Sequence, residues 1–110
     1  MNKALEELIE EITSSDEFIE YKRLEQLALN DHNLKSMIER LREVEKQAIN
    51  AREFGLENAY NAYLKEYNEI LKQFDENVLL SSYLTKKEEV KEMIDLATKI
   101  IENEIYKKIN

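Results

Sequence analysis

The chain has 110 residues with no cysteine, no proline, a single glycine (Gly55), 36% charged residues and a net charge of −8. That length suits one domain with one hydrophobic core over residues 1–110. The missing cysteines exclude a disulfide framework, a thiolate zinc site and a cysteine-held iron–sulfur cluster.

With almost nothing to interrupt a helix, and no Asn-Gly-type turn pair to make a hairpin of strands, the expected fold is all-α. The first segment sets Leu5, Leu8, Ile9 and Ile12 on one face and glutamates on the other, a short amphipathic helix. Thr13-Ser14-Ser15-Asp16-Glu17 reads as a break and restart: Ser14 and Glu17 have capping-box spacing, and Ser15 is the competing N-cap. A second helix over about 16–29 would bury Phe18, Tyr21, Leu24, Leu27 and Ala28. Asn30-Asp31 caps a third, on which Leu34, Met37, Leu41, Val44, Ala48 and Ala51 recur at spacings of 3, 4, 3, 4 and 3, an a/d seam.

Gly55 tolerates a left-handed backbone and stands where the third helix needs a C-cap, so the chain turns there. Beyond it Tyr60, Tyr63, Tyr67, Ile70 and Phe74 repeat the spacing, which predicts a returning helix and a long antiparallel α-hairpin. Asp75-Glu76-Asn77 is a weaker break; Asp75 or Asn77 can cap a new helix, and continuity through it stays open. The last stripe runs Leu80, Tyr83, Val90, Ile94, Ala97, Ile101 and Ile105, with Lys87 in one seam position and Leu84, Met93 and Ile100 widening it. Asp95 and Lys99 are spaced for an i,i+4 pair.

Five helices of these lengths do not cover one another. The third is roughly 35 Å long and the last, if unbroken, nearly 50 Å at about 1.5 Å per residue. The two short N-terminal helices leave seam exposed, and a second copy or a related helical chain is the natural cover. The candidate protein-interface residues are Leu34, Met37, Leu41 and Val44 on the third helix, Tyr60, Tyr63 and Tyr67 on the fourth, and Tyr83, Val90, Ile94 and Ile101 on the last. Tyrosine buries area at low entropic cost and keeps a polar tip, so its stripe suits recognition as well as core.

Charge narrows the partners. Residues 1–20 hold seven acids against Lys3, whereas residues 86–110 balance six lysines against six acids. No Lys/Arg excess exists to neutralise phosphates, which argues against direct nucleic-acid binding. No run of 18 apolar residues exists to span a membrane, and Met1 to Glu7 lacks the apolar run of a secretory signal, so a cytoplasmic location is expected.

The sequence assigns no catalytic, cofactor-binding or metal residue. His32 is the single histidine, beside Asp31, and cannot build a repeated carboxylate–histidine set. The carboxylate pairs arise from 24 acids and fall on polar faces, and one glycine makes no phosphate loop. A small all-α enzyme of chorismate mutase type would need Arg23, Arg40, Arg42 or Arg52 inside the bundle, yet the seam positions are apolar. The reading that remains is a non-enzymatic adaptor acting through helix-mediated protein–protein contacts, with a chaperone-like or purely structural hairpin as the other alternative.

In order along the chain, Ser15, Phe18, Tyr21-Lys22, Asp31, Leu41, Gln47, Phe54-Gly55, Asn77-Val78, Tyr83-Leu84 and Glu89 resemble the YlbF/YmcA family of small helical bacterial proteins, which includes YheA-like members. The resemblance covers nearly the whole chain. It implies a multihelical, intertwined dimer without catalytic activity and a regulatory role. It also implies a link to the complex that YlbF and YmcA members form with YaaT, which modulates ribonuclease Y and mRNA processing, with effects on competence, biofilm formation and sporulation. The complex-forming members carry cysteines tied to an iron–sulfur cluster; this chain has none, and Leu56-Glu57-Asn58 stands where a proline is often seen after the glycine. The resemblance is therefore to a divergent or YheA-like member.

Overall fold

A computed structural model describes residues 3–109. Among them are five α-helices and no strand: α1 (Lys3–Thr13), α2 (Asp16–Leu29), α3 (His32–Glu53), α4 (Glu57–Asp75) and α5 (Val78–Ile109).

Each junction is closed by a local polar device, as a chain without proline requires. Ser15 settles the first: its backbone is extended, and its hydroxyl accepts the Phe18 N–H at 3.2 Å while donating to the Ile12 carbonyl at 2.6 Å. Ser14 instead turns back to the Glu10 carbonyl at 2.7 Å and closes α1. At α3 the Asp31 carboxylate accepts the N–H groups of Asn33 at 2.9 Å and Leu34 at 3.1 Å. Asn77 decides the last junction, its side-chain oxygen accepting the Leu80 N–H at 3.0 Å, so α4 and α5 are separate helices.

The α3–α4 turn is a Schellman motif. The Gly55 N–H donates to the Arg52 carbonyl at 3.2 Å and the Leu56 N–H to the Ala51 carbonyl at 2.8 Å, with Gly55 at φ 68°. A Cβ at Gly55 would meet nothing within 4 Å, so Gly55→Ala adds only the left-handed backbone penalty. That is about 1 kcal/mol, and a loss of roughly 4 °C in thermal midpoint is expected by circular dichroism.

Helix α3 packs along α4 as the expected hairpin, and α2 with the first half of α5 lies against it. The shared core is Leu24 and Ala28 from α2, Ile38, Leu41 and Val44 from α3, Ile70 and Phe74 from α4, and Leu80 and Tyr83 from α5. The α3 seam is thus covered within the chain, contrary to the expectation from helix lengths: Leu41, Val44, Ala48 and Ala51 are all buried. The physical reason is that the returning helix α4 packs along α3, with α2 beside it, and so supplies the cover. Ile38 is fully buried and Met37 only half so, which widens the inward face of α3 beyond the a/d reading. Leu27, expected inside, is exposed, because it stands 100° round the helix from Ala28, at the edge of the inward face formed by Leu24, Glu25 and Ala28.

Two polar expectations also resolve. Lys87, which interrupts the α5 stripe, reaches across to Glu45 on α3 at 3.3 Å, so a cation in the seam is paired between helices. Asp95 and Lys99 do not close to ion-pair distance; both are exposed, where hydration competes well with such a contact.

Candidate interaction surface

Helix α5 has 32 residues, a length of roughly 48 Å. Its buried residues, Leu80, Tyr83 and Val90, all lie in its first half, because α2 has 14 residues and α4 has 19 and neither reaches the far end. Beyond Val90, Ile94 is 47% exposed, Leu96 61%, Ile100 46% and Ile105 50%. On a helix that turns 100° per residue these stand at the two edges of a broad apolar face: Ile94 and Ile105, beside Ala97 and Ile101, on the side toward α1, and Leu96 and Ile100 on the other.

Helix α1 lies beside part of that face without sealing it. Its apolar face (Leu5, Leu8, Ile9, Ile12) and Phe18 border Ile94, Ala97 and Ile101 around a pocket of about 280 Å³. Its hydroxyls, Thr13 and Thr98, donate to carbonyls of their own helices, so the pocket offers apolar contact and no polar anchor. No residue of α1 is buried.

The sequence-derived interface residues divide three ways. Leu41, Val44, Tyr83 and Val90 are inside this chain's own core. Leu34, Met37, Tyr60, Tyr63 and Tyr67 are half-buried on the hairpin, with burial raising the Tyr67 hydroxyl pKa and the nearby Glu45 and Glu88 adding to that rise. Ile94 and Ile101 alone among them belong to the open end of α5, with Ile100, which widens the stripe, and Leu96, which the a/d reading passed over, as neighbours. A second exposed apolar point is the hairpin tip, where Phe54 and Leu56 flank Gly55.

One buried charge went unread. Glu25 on α2 is 8% exposed and accepts from Lys22 at 2.9 Å and from Arg42 on α3 at 2.8 Å. Next to it Tyr21 stacks on Tyr83 with ring centroids 5.5 Å apart. The Tyr83 hydroxyl is buried without a well-formed hydrogen bond, although the Tyr21 hydroxyl and the Arg42 guanidinium interact with it electrostatically. Burial pushes the Glu25 carboxyl up, but the Lys22 ammonium, the Tyr21 hydroxyl and the Arg42 guanidinium together hold it below its ordinary value of 4.5. A depressed carboxylate stabilises the fold fully above its unfolded value and loses that contribution as pH falls through the folded one. Urea titrations across acid pH are therefore expected to show stability falling below pH 4.5, and Glu25→Gln to flatten that part of the profile. At neutral pH Glu25→Gln should cost about 1–2 kcal/mol, less than a fully buried pair, because Lys22 and Arg42 are half in water.

The groups that other chemistries would use stand apart. Arg23, Arg40, Arg42, Arg52 and His32 are all exposed. Among the described residues no group of three or more His, Cys, Asp or Glu could hold a metal, and no helix is long and apolar enough to cross a membrane.

No curated protein and no solved structure matches the chain. A family does: the one described as control of competence regulator ComK, YlbF/YmcA, matches residues 2–106. By that description the family is a regulatory one. On a match over nearly its whole length, the chain belongs to the YlbF/YmcA family.

Proposed function

We propose that this protein is a non-enzymatic cytoplasmic adaptor that works through helix–helix contacts, first with a second copy of itself and then with related helical proteins. The observation that carries this reading is the broad apolar face at the far end of α5, where α1 borders Ile94, Ala97 and Ile101 without burying them and Leu96 and Ile100 stand uncovered. Covering that face is worth several kcal/mol, at about 25 cal/mol per Å² of apolar surface. The regulatory output we assign is ribonuclease Y-dependent mRNA processing, and through it competence, biofilm formation or sporulation. Family membership supports a regulatory role in general, and the absence of cysteine in the chain gives any iron–sulfur cluster to a partner rather than to this protein.

The test is genetic. Replacing the chromosomal copy with Ile94→Glu/Ile100→Glu, folded by circular dichroism, should shift the 5′ ends of ribonuclease Y transcripts as a deletion does. A deletion that leaves those ends and competence unchanged would refute the assignment.

A further inference from the structure

The cleft between α1 and α5 has a mouth and a floor. Ile9 and Thr13 on α1 and Ile94 and Thr98 on α5 are the exposed residues that line it, whereas Leu5, Ile12, Ala97 and Ile101 lie half-buried below them. On a helix the neighbours of a side chain are those three or four positions away. The charged neighbours of the four mouth residues are Glu6 and Glu10 on α1 and Lys91, Asp95 and Glu102 on α5. The mouth is therefore acidic, with Lys91 its single cation at that spacing. Among the described residues none of these five charges is engaged in an ion pair. Past the break in the chain, Asp16 and Glu17 continue the acidic edge beside Phe18, which closes one end of the cleft.

The walls limit what fits between them. Both are helices whose backbone groups bond along the helix, and the Thr13 and Thr98 hydroxyls donate to the Ile9 and Ile94 carbonyls. An extended peptide would find no row of partners for its own N–H and C=O groups on the apolar floor, whereas a helix arrives with those groups satisfied. A fatty-acid carboxylate, or the acidic α1 of a second copy, would meet like charge at the mouth. A basic amphipathic helix meets neither cost. Its apolar face covers the floor, and its lysine or arginine stems lie along Ile9 and Ile94 while their cationic ends reach the carboxylates.

We propose that the α1–α5 cleft docks a basic amphipathic helix of a partner protein. The inference rests on the adaptor reading and names the chemistry of a partner other than a second copy. It leaves Leu96 and Ile100, on the other edge of α5, for self-association.

The probe is a designed leucine–lysine peptide of about five helical turns, paired with a peptide in which every lysine is replaced by glutamate. By fluorescence anisotropy with the full chain, the basic peptide should bind and the glutamate peptide should not. Glu6→Gln/Glu10→Gln/Glu102→Gln should weaken the basic peptide at least about fivefold. Glu43→Gln/Glu69→Gln/Glu76→Gln removes the same charge from exposed positions on other helices and should leave the affinity within about twofold. All six substitutions are at exposed side chains, so both variants should keep the helicity of the unmodified chain by circular dichroism. Hydrogen exchange in the complex should slow over α1 and over the stretch of α5 from Ile94 to Glu102. No binding of the basic peptide, equal weakening by the two triple variants, binding of the glutamate peptide, or protection confined to other helices would each overturn the docking site. Sedimentation separates this from the self-association reading. A monomeric chain that still binds the peptide at the cleft removes self-association alone, whereas a dimer that the peptide dissociates gives the cleft to the second copy and overturns the docking of a partner's helix.

Discussion

Leu41→Asp is expected to abolish the cooperative thermal transition of the protein. Leu41 is 1% exposed at the centre of the core that all of α2 to α5 share. Losing the leucine costs about 2–5 kcal/mol, and an unpaired buried carboxylate adds several more. Neighbouring cations offer no rescue: Arg42 is engaged with Glu25 and Arg40 with Glu66 at 3.5 Å, both near the surface. Domains of this size hold about 5–15 kcal/mol in all, so the variant should be largely unfolded at room temperature. Leu41→Met, which keeps the volume, should lose less than about 1.5 kcal/mol. A normal melting curve for Leu41→Asp by circular dichroism would show that α3 does not face a core.

Tyr83 carries the second large effect, with an instructive sign change. Its ring is fully buried against Tyr21, so Tyr83→Ala should cost about 3–5 kcal/mol through the cavity it leaves. Its hydroxyl, however, is buried without a well-formed partner. A buried polar group left unpaired costs about 1–3 kcal/mol, so Tyr83→Phe should be neutral or stabilising by about 1 kcal/mol. Urea denaturation of the two variants separates ring from hydroxyl. A loss of stability in Tyr83→Phe would mean that Tyr21 or Arg42 hydrogen-bonds the hydroxyl in solution.

What the sequence made legible was what is local. Asp31 and Gly55 act on backbone groups within four residues, so local sequence places those helix boundaries, whereas Asp75 and Asn77 leave the last junction open and only the Asn77 contact with the Leu80 N–H divides α4 from α5. The a/d spacing found the right face of α3 but a seam too narrow, choosing Met37 over Ile38, since a core-facing helix buries a wider stripe than a coiled-coil seam. Glu25 was hidden because its decisive partner, Arg42, is 17 residues away on another helix, and nothing on α2 itself marks that carboxylate as buried. Helix lengths likewise implied uncovered apolar surface, most of all on the last helix; that Ile94, Leu96, Ile100 and Ile105 are its open residues follows from where the shorter α2 and α4 end, which no local pattern gives.

The open end of α5 is the centre of the account, and sedimentation equilibrium at micromolar concentration tests it most directly. The unmodified chain should sediment as a dimer, and Ile94→Glu/Ile100→Glu as a monomer of unchanged helicity. A well-folded monomer for the unmodified chain, or a variant that still dimerises, would contradict it.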